Sequence, residues 1–262
     1  MFPGFENSAP VDTLGAGEVH LWQLSIKDVL RTKSIGTLHH LLTEDERNRA
    51  AAYRSENRRQ LFIIGRAGLR VILSALMAGM PPRSIRFITG AQGKPMVDDD
   101  ACPLQFNLSH SHDAILIAVT KGQTVGVDIE YMKARPRMAD IAQHYFHPQE
   151  SQVVTKALDA GDNLRALQQF YKVWTLKEAF IKADGKGMAI AGDSFYFSDI
   201  DTSTPGIEFT DTGPDVAPEW HFEHQFVNGQ YSIAMGLSVS DKEERITVTQ
   251  RQLSLIPTGW CS

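Results

Sequence analysis

Asp128 and Glu130 stand two residues apart in Gly126-Val127-Asp128-Ile129-Glu130, within the strand-forming run Thr124 to Met132. On a strand, residues i and i+2 share a face, so the two carboxylates project together while Val127 and Ile129 pack on the other side. Adjacent carboxylates repel unless a cation lies between them or the face is fully wet, and an oxygen-rich pair of this kind suits Mg2+ or Mn2+. Acids facing solvent beside a buried strand give the same pattern without a metal.

A second constellation is Trp174-Thr175-Leu176-Lys177-Glu178-Ala179-Phe180-Ile181-Lys182. At about 100° per residue, Leu167, Phe170 and Ile181 lie within about 40° of Trp174 and define an apolar stripe. Glu178 falls inside that stripe, with Lys177 and Lys182 at its two edges. A carboxylate there is costly unless it is paired or binds a metal; the alternative is an ordinary i, i+4 Glu–Lys pair on a helix surface. The third, Phe106-Asn107-Leu108-Ser109-His110-Ser111-His112, ends a strand with a hydroxyl, an imidazole and backbone amides able to grip phosphate oxygens, or forms a structural polar turn. A Ser/His nucleophile pair fits poorly, because adjacent strand residues point to opposite faces and no G-x-S-x-G elbow occurs. Glycine-rich phosphate loops are also absent from the sequence.

These groups need strands and helices to hold them. Residues 18–26 read as a strand, Thr43 caps a helix towards Tyr53, and a second helix is expected from Glu56 to Met80, stopped by Pro81-Pro82. Strands follow at 84–90, 105–111, 114–120 and 124–132, then three helical stretches between Met138 and Gly185. Beyond Ser194 the chain is β-rich, with a hairpin signal at Asn228-Gly229 and a last strand at 245–253 expected to complete that sheet. The pattern of helices and strands repeats loosely without any residue-level repeat. An α+β fold of two similar halves, 1–122 and 123–262, is expected, the second carrying the carboxylates.

With 42% hydrophobic and 22% charged residues, the composition excludes disordered and collagen-like chains. No apolar run is long enough to span a bilayer and no leader is evident, and two cysteines, Cys102 and Cys261, are too few for a disulfide framework. A cytoplasmic protein with no membrane partner is expected. The net charge of −5 argues against a nucleic-acid binder, yet residues 47–70 hold seven arginines against one acid, Glu56. That basic window is either a docking face for an anionic ligand or partner, or a solvated helix surface.

Gly93-Lys94-Pro95, FNLSHS at 106–111, GVDIE at 126–130 and WTLKEAFIKADGKG at 174–187 together resemble the ordered signature of the 4′-phosphopantetheinyl transferases, in particular their larger monomeric type. The resemblance covers residues 93–187. It implies two α+β halves related by a pseudo-twofold, with coenzyme A between them, and transfer of phosphopantetheine to a serine of an apo acyl or peptidyl carrier protein. Adenosine 3′,5′-bisphosphate would be released. By that similarity Asp128, Glu130 and Glu178 would hold Mg2+, with Glu178 and Lys182 catalytic. Lys182 and Lys177 would meet the phosphates, Ser109 and His110 the nucleotide end, Lys94 the adenine or 3′-phosphate, and Arg59 and Arg66 the 3′-phosphate. The competing readings are another Mg2+-dependent phosphoryl or nucleotidyl transferase, and a non-catalytic module that binds coenzyme A or a carrier protein.

Overall fold

The computed structural model describes residues 6–7, 13–90, 93–187, 190–210, 219–240 and 244–253. Cys261 lies outside them, and Cys102 is a half-buried free thiol. None of the described helices is long and apolar enough to cross a membrane. The chain divides into two units: one runs to Gly122 and resumes at Ile246, the other spans Gln123–Arg245.

The first unit contains β1 (Glu6–Asn7), β2 (Glu18–Ser25), α1 (Ile26–Thr32), α2 (Ile35–His39), α3 (Glu44–Ala51) and α4 (Glu56–Leu76). A 3-10 turn at Pro82–Ser84 leads to β3 (Phe87–Thr89), β4 (Pro95–Val97), β5 (Leu104–Ser111) and β6 (Ala114–Lys121). Capping chemistry sets the helix starts. The hydroxyls of Ser25, Ser34 and Ser55 each accept a first-turn amide, and Thr43 with Glu46 forms a reciprocal capping box. The short helices α1 and α2 have too few turns to show a periodicity, and the sequence reading passed over them. Helix α4 ends at Leu76, four residues before the expected Met80, because Ala78 and Gly79 both take positive φ. Its apolar face lies on the sheet so closely that a Cβ on Gly68 would come within 2.7 Å of Leu24 Cδ2. The expected strand 84–90 shrinks to β3, preceded by the 3-10 turn.

The second unit contains β7 (Val125–Tyr131), α5 (Met138–Tyr145), α6 (Pro148–Asp159), α7 (Asn163–Asp184), β8 (Phe195–Ser198), β9 (Gly206–Phe209), β10 (Glu219–Val227) and β11 (Tyr231–Val239). Strands run in the order β10-β11-β7, all antiparallel. The β10–β11 turn carries Asn228 and Gly229 at φ 53° and 64°, the left-handed values that the Asn-Gly signal implies.

The last strand corrects the domain expectation. β12 (Thr247–Gln252) does not complete the second sheet; it lies parallel between β1 and β2, in the first unit's order β1-β12-β2-β6-β5. Its half-polar alternation fits either sheet, so the local pattern could not choose. The two units nevertheless share a topology. Each begins with a strand (β2 or β7), passes through helices, and returns in a hairpin (β5–β6 or β10–β11) whose second strand pairs antiparallel with the first. Each lays one long helix, α4 or α7, on that sheet.

Candidate functional site

Gly126, Asp128 and Glu130 alternate onto the face of β7 that receives α7. A Cβ on Gly126 would overlap the carbonyl oxygen of Ala179 and the amide of Ala183, and would lie 2.9 Å from the Lys182 carbonyl carbon. Backbone therefore touches backbone at this glycine, and the last turns of α7 are pressed against the strand acids. Lys182 Nζ donates to Asp128 Oδ1 at 2.7 Å and to the Val127 carbonyl at 3.3 Å. Asp128 is buried and Glu130 is half-buried at the strand's end. Glu178, one turn before Lys182, is half-buried too. Burial raises its carboxyl above the usual range; Lys182 opposes that, and the negative charges of Asp128 and Glu130 push the same way as burial.

The helical wheel needs correcting. Helix α7 is wrapped on most of its circumference; of the expected stripe Phe170 is fully buried, while Leu167, Trp174, Ile181 and Glu178 are half-buried. Glu178 is thus held beside other carboxylates at a partly open edge, not sunk into an apolar stripe. The turn behind it is pinned from the sheet. Thr175 Oγ1 donates to the Tyr171 carbonyl at 2.9 Å and lies 3.0 Å from Ser232 Oγ, which stands opposite Glu130 in the β7–β11 register. His224 Nε2 lies 2.9 Å from the same Ser232 hydroxyl.

His224 carries a pH signature. Burial, with a smaller push from Lys172, lowers it from 6.5 to about 3. The unfolded chain takes up this proton near 6.5 and the folded chain only near 3, so this contribution to stability is lost as pH falls through that window. Each pH unit removes up to about 1.4 kcal/mol. Urea denaturation is expected to show wild type losing more stability than His224→Gln between pH 7 and pH 4.

Lys177 is where the structure departs most from expectation. It is buried, its Nζ lying 2.8 Å from Glu150 Oε2 and donating to the carbonyls of Gly192 and Phe195, both at 2.7 Å. All three ammonium protons are thereby used on structural partners, so Lys177 is not a phosphate ligand. Burial lowers Lys177 and raises Glu150, the strain of holding a charged pair out of water. Removing one partner strands the other's charge, so Lys177→Met is expected to lower unfolding free energy by about 3–5 kcal/mol. Joint replacement of both residues by apolar side chains is expected to recover most of that in the same urea titration.

In the first unit, Ser109 is buried and His110 exposed, on opposite faces of β5, and Lys94 is half-buried in the β3–β4 turn. Arg59 is partly exposed and pairs with Glu56 on its own helix. Arg66 is corrected: it lies 3.3 Å from Glu46 and over the rings of Phe62 and Phe87, mostly out of water. Burial lowers its pKa, Glu46 partly opposing, and its charge already has a carboxylate. Arg70 is wholly internal, gripping both Glu46 oxygens at 2.8 and 2.9 Å and the Ile85 carbonyl at 2.9 Å. The basic window therefore divides: Arg66 and Arg70 build the unit, while Arg49, Arg54 and Arg58 face solvent.

The family description "4'-phosphopantetheinyl transferase superfamily" matches residues 124–236, which include β7 and α7. The chain is 32% identical over 179 residues to the 4′-phosphopantetheinyl transferase HetI of Nostoc sp., covering 68% of this chain and 73% of that protein. It is 33% identical over 166 residues to the 4′-phosphopantetheinyl transferase Sfp of Bacillus subtilis, covering 63% of this chain and 68% of Sfp. The chain belongs to the 4′-phosphopantetheinyl transferase superfamily. A third relative, the putative 4′-phosphopantetheinyl transferase slr0495 of Synechocystis sp., is 34% identical over 150 residues, 57% of this chain and 59% of that protein.

For a phosphopantetheinyl transferase the second unit offers three acids and one partly exposed lysine on two adjoining elements. Among the described residues, no three His, Cys, Asp or Glu side chains converge tightly enough to hold an ion. The donor chemistry still suits Mg2+, being all carboxylate, with Glu178 close enough to feel both strand acids. Gly126, Glu150 and Arg70 were missed as site-building residues. Only Gly126 left a signal, since a glycine inside a strand marks close backbone approach.

Proposed function

We propose that this transferase moves the 4′-phosphopantetheine arm of coenzyme A onto a serine of an apo acyl or peptidyl carrier protein. The observation that carries this reading is the Lys182 ammonium on Asp128 with Glu178 one turn away, inside the stretch that matches the family. The serine oxygen would bond to the β-phosphorus while the bond to the bridging oxygen breaks, releasing adenosine 3′,5′-bisphosphate. Glu178 would take the serine proton, directly or through a water. Lys182 supplies positive charge to the phosphate oxygens as negative charge builds on the leaving group. Asp128, Glu130 and Glu178 would hold Mg2+, which when bound neutralises charge on the pyrophosphate. In the first unit Ser109 and His110 are assigned to the nucleotide end, Lys94 to the adenine or 3′-phosphate and Arg59 to the 3′-phosphate.

The test is the intact mass of a purified apo carrier protein after incubation with this protein and coenzyme A, with Mg2+ or with EDTA. A phosphopantetheine adduct formed only with Mg2+ is expected. No adduct on any of several carriers, with coenzyme A binding intact, would overturn the reading in favour of a binding module.

A further inference from the structure

Helix α7 lies on both β7 and β11. At Gly126 backbone meets backbone, which fixes how closely the helix approaches but not its rotation about its own axis. Rotation decides where Glu178 points. With its carboxylate about 6 Å from the helix axis, a turn of about 20° carries it about 2 Å. A displacement of about 1 Å can cost about 10²-fold where a reaction depends on positioned groups. Apolar packing tolerates such small rotations, whereas a fully bonded polar contact specifies one setting.

Thr175, one turn before Glu178, makes such a contact. Its Oγ1 donates to the Tyr171 carbonyl at 2.9 Å and lies 3.0 Å from Ser232 Oγ, both side chains being fully buried. Ser232 stands opposite Glu130 in the β7–β11 register, so the two share a face of the sheet. The Ser232 hydroxyl also donates to the Tyr171 carbonyl at 3.2 Å and lies 2.9 Å from His224 Nε2 on β10. The hydroxyl pair thus joins the turn before Glu178 to the sheet at the level of Glu130, with an imidazole from the third strand behind it. Valine and alanine would fill the same space, so packing alone does not call for buried hydroxyls here. Lys177 anchors α7 as well, but its partners lie on α6 and at or just before β8, not on the strands that carry or adjoin the acids.

We infer that Thr175 and Ser232 are positioning residues for Glu178: their hydroxyl pair, backed by His224, sets the rotation of α7 at which the Glu178 carboxylate meets the serine of the incoming carrier protein. This inference rests on the proposed role of Glu178 as proton acceptor. Both hydroxyls are buried beneath the helix and act only through the residue they aim. Loosening the pair therefore slows transfer without weakening coenzyme A binding, and does so only while Glu178 is there to be aimed.

The test compares wild type, Thr175→Val, Thr175→Ser and Ser232→Ala, each also combined with Glu178→Gln. Intact-mass time courses at varied coenzyme A give kcat and KM, and circular dichroism checks each fold. Thr175→Val and Ser232→Ala are each expected to lower kcat at least tenfold, with KM for coenzyme A within threefold of wild type. Thr175→Ser keeps the hydroxyl and is expected to stay within threefold of wild type in both. On the Glu178→Gln background, Thr175→Val and Ser232→Ala are expected to change the residual rate less than twofold, because residues that act as a unit are not additive. If Thr175→Val slows Glu178→Gln as much as it slows wild type, the damage is general and the positioning role falls while that of Glu178 stands. The positioning role also falls if folded Thr175→Val and Ser232→Ala keep wild-type kcat, if Thr175→Ser is as slow as Thr175→Val, or if neither Thr175→Val nor Ser232→Ala folds. Wild-type turnover by Glu178→Gln alone would overturn the role of Glu178 itself, and the inference with it.

Discussion

Glu178→Gln is expected to cut transfer to a carrier protein by roughly 10²–10⁴-fold, the range that loss of a positioned general base produces. The substitution keeps volume and shape but would remove both the proposed proton acceptor and one proposed anionic ligand. It should not harm the fold. Burial raises the Glu178 carboxyl above its unfolded value, so the folded chain holds this proton more tightly than the unfolded chain. Stability from this group is therefore present at low pH and lost as pH rises from its unfolded value of 4.5 through its folded one. At neutral pH the carboxylate is a burden on the fold, and a neutral amide relieves it. The variant should accordingly be at least as stable as wild type in urea while nearly inactive, the mark of a residue kept for function. Intact-mass time courses and urea titrations check the two halves, and wild-type-like turnover would sink the assignment.

The parts of this site that were legible in the sequence are those that a single element specifies. Asp128 and Glu130 share a face because strands have a period of two, and Lys182 lies one turn after Glu178 because helices have a period of 3.6. Resemblance over four motifs then joined elements that local patterns could not. What stayed hidden depends on which element meets which. Lys177 and Glu178 are neighbours in sequence, yet one turns inward to Glu150 and the other faces the strand acids. A wheel drawn on apolar residues cannot separate them, because α7 is covered on most sides and its polar residues are sorted by partners 27 and 54 positions away. The arginine window misled for a similar reason. Seven like charges read as a surface, but two of them are drawn inward by Glu46, an acid in the preceding helix. β12 shows the limit for topology: its own residues fit either sheet, and only the pairing with β2 places it.

Gly126→Ala is expected to do the most damage for the smallest chemical change. Overpacking a core usually costs about 1–3 kcal/mol because side chains can shift. Here the added methyl would meet the Ala179 carbonyl oxygen, the Ala183 amide and the Lys182 carbonyl carbon, all of them helix backbone. No rotamer change relieves that overlap, so α7 must lift from β7 or the strand must bend away. The expected loss is therefore at or above about 3 kcal/mol in urea denaturation. Lifting the helix also moves Lys182 and Glu178 away from Asp128, so transfer should fall in the fraction that remains folded. Gly68→Ala supplies the comparison. Its methyl would meet Leu24 Cδ2 at 2.7 Å, the far end of a side chain, and should cost less than half as much. Should Gly126→Ala prove as mild as Gly68→Ala, with transfer retained, then close seating of α7 on β7 is not what brings the lysine and the carboxylates together.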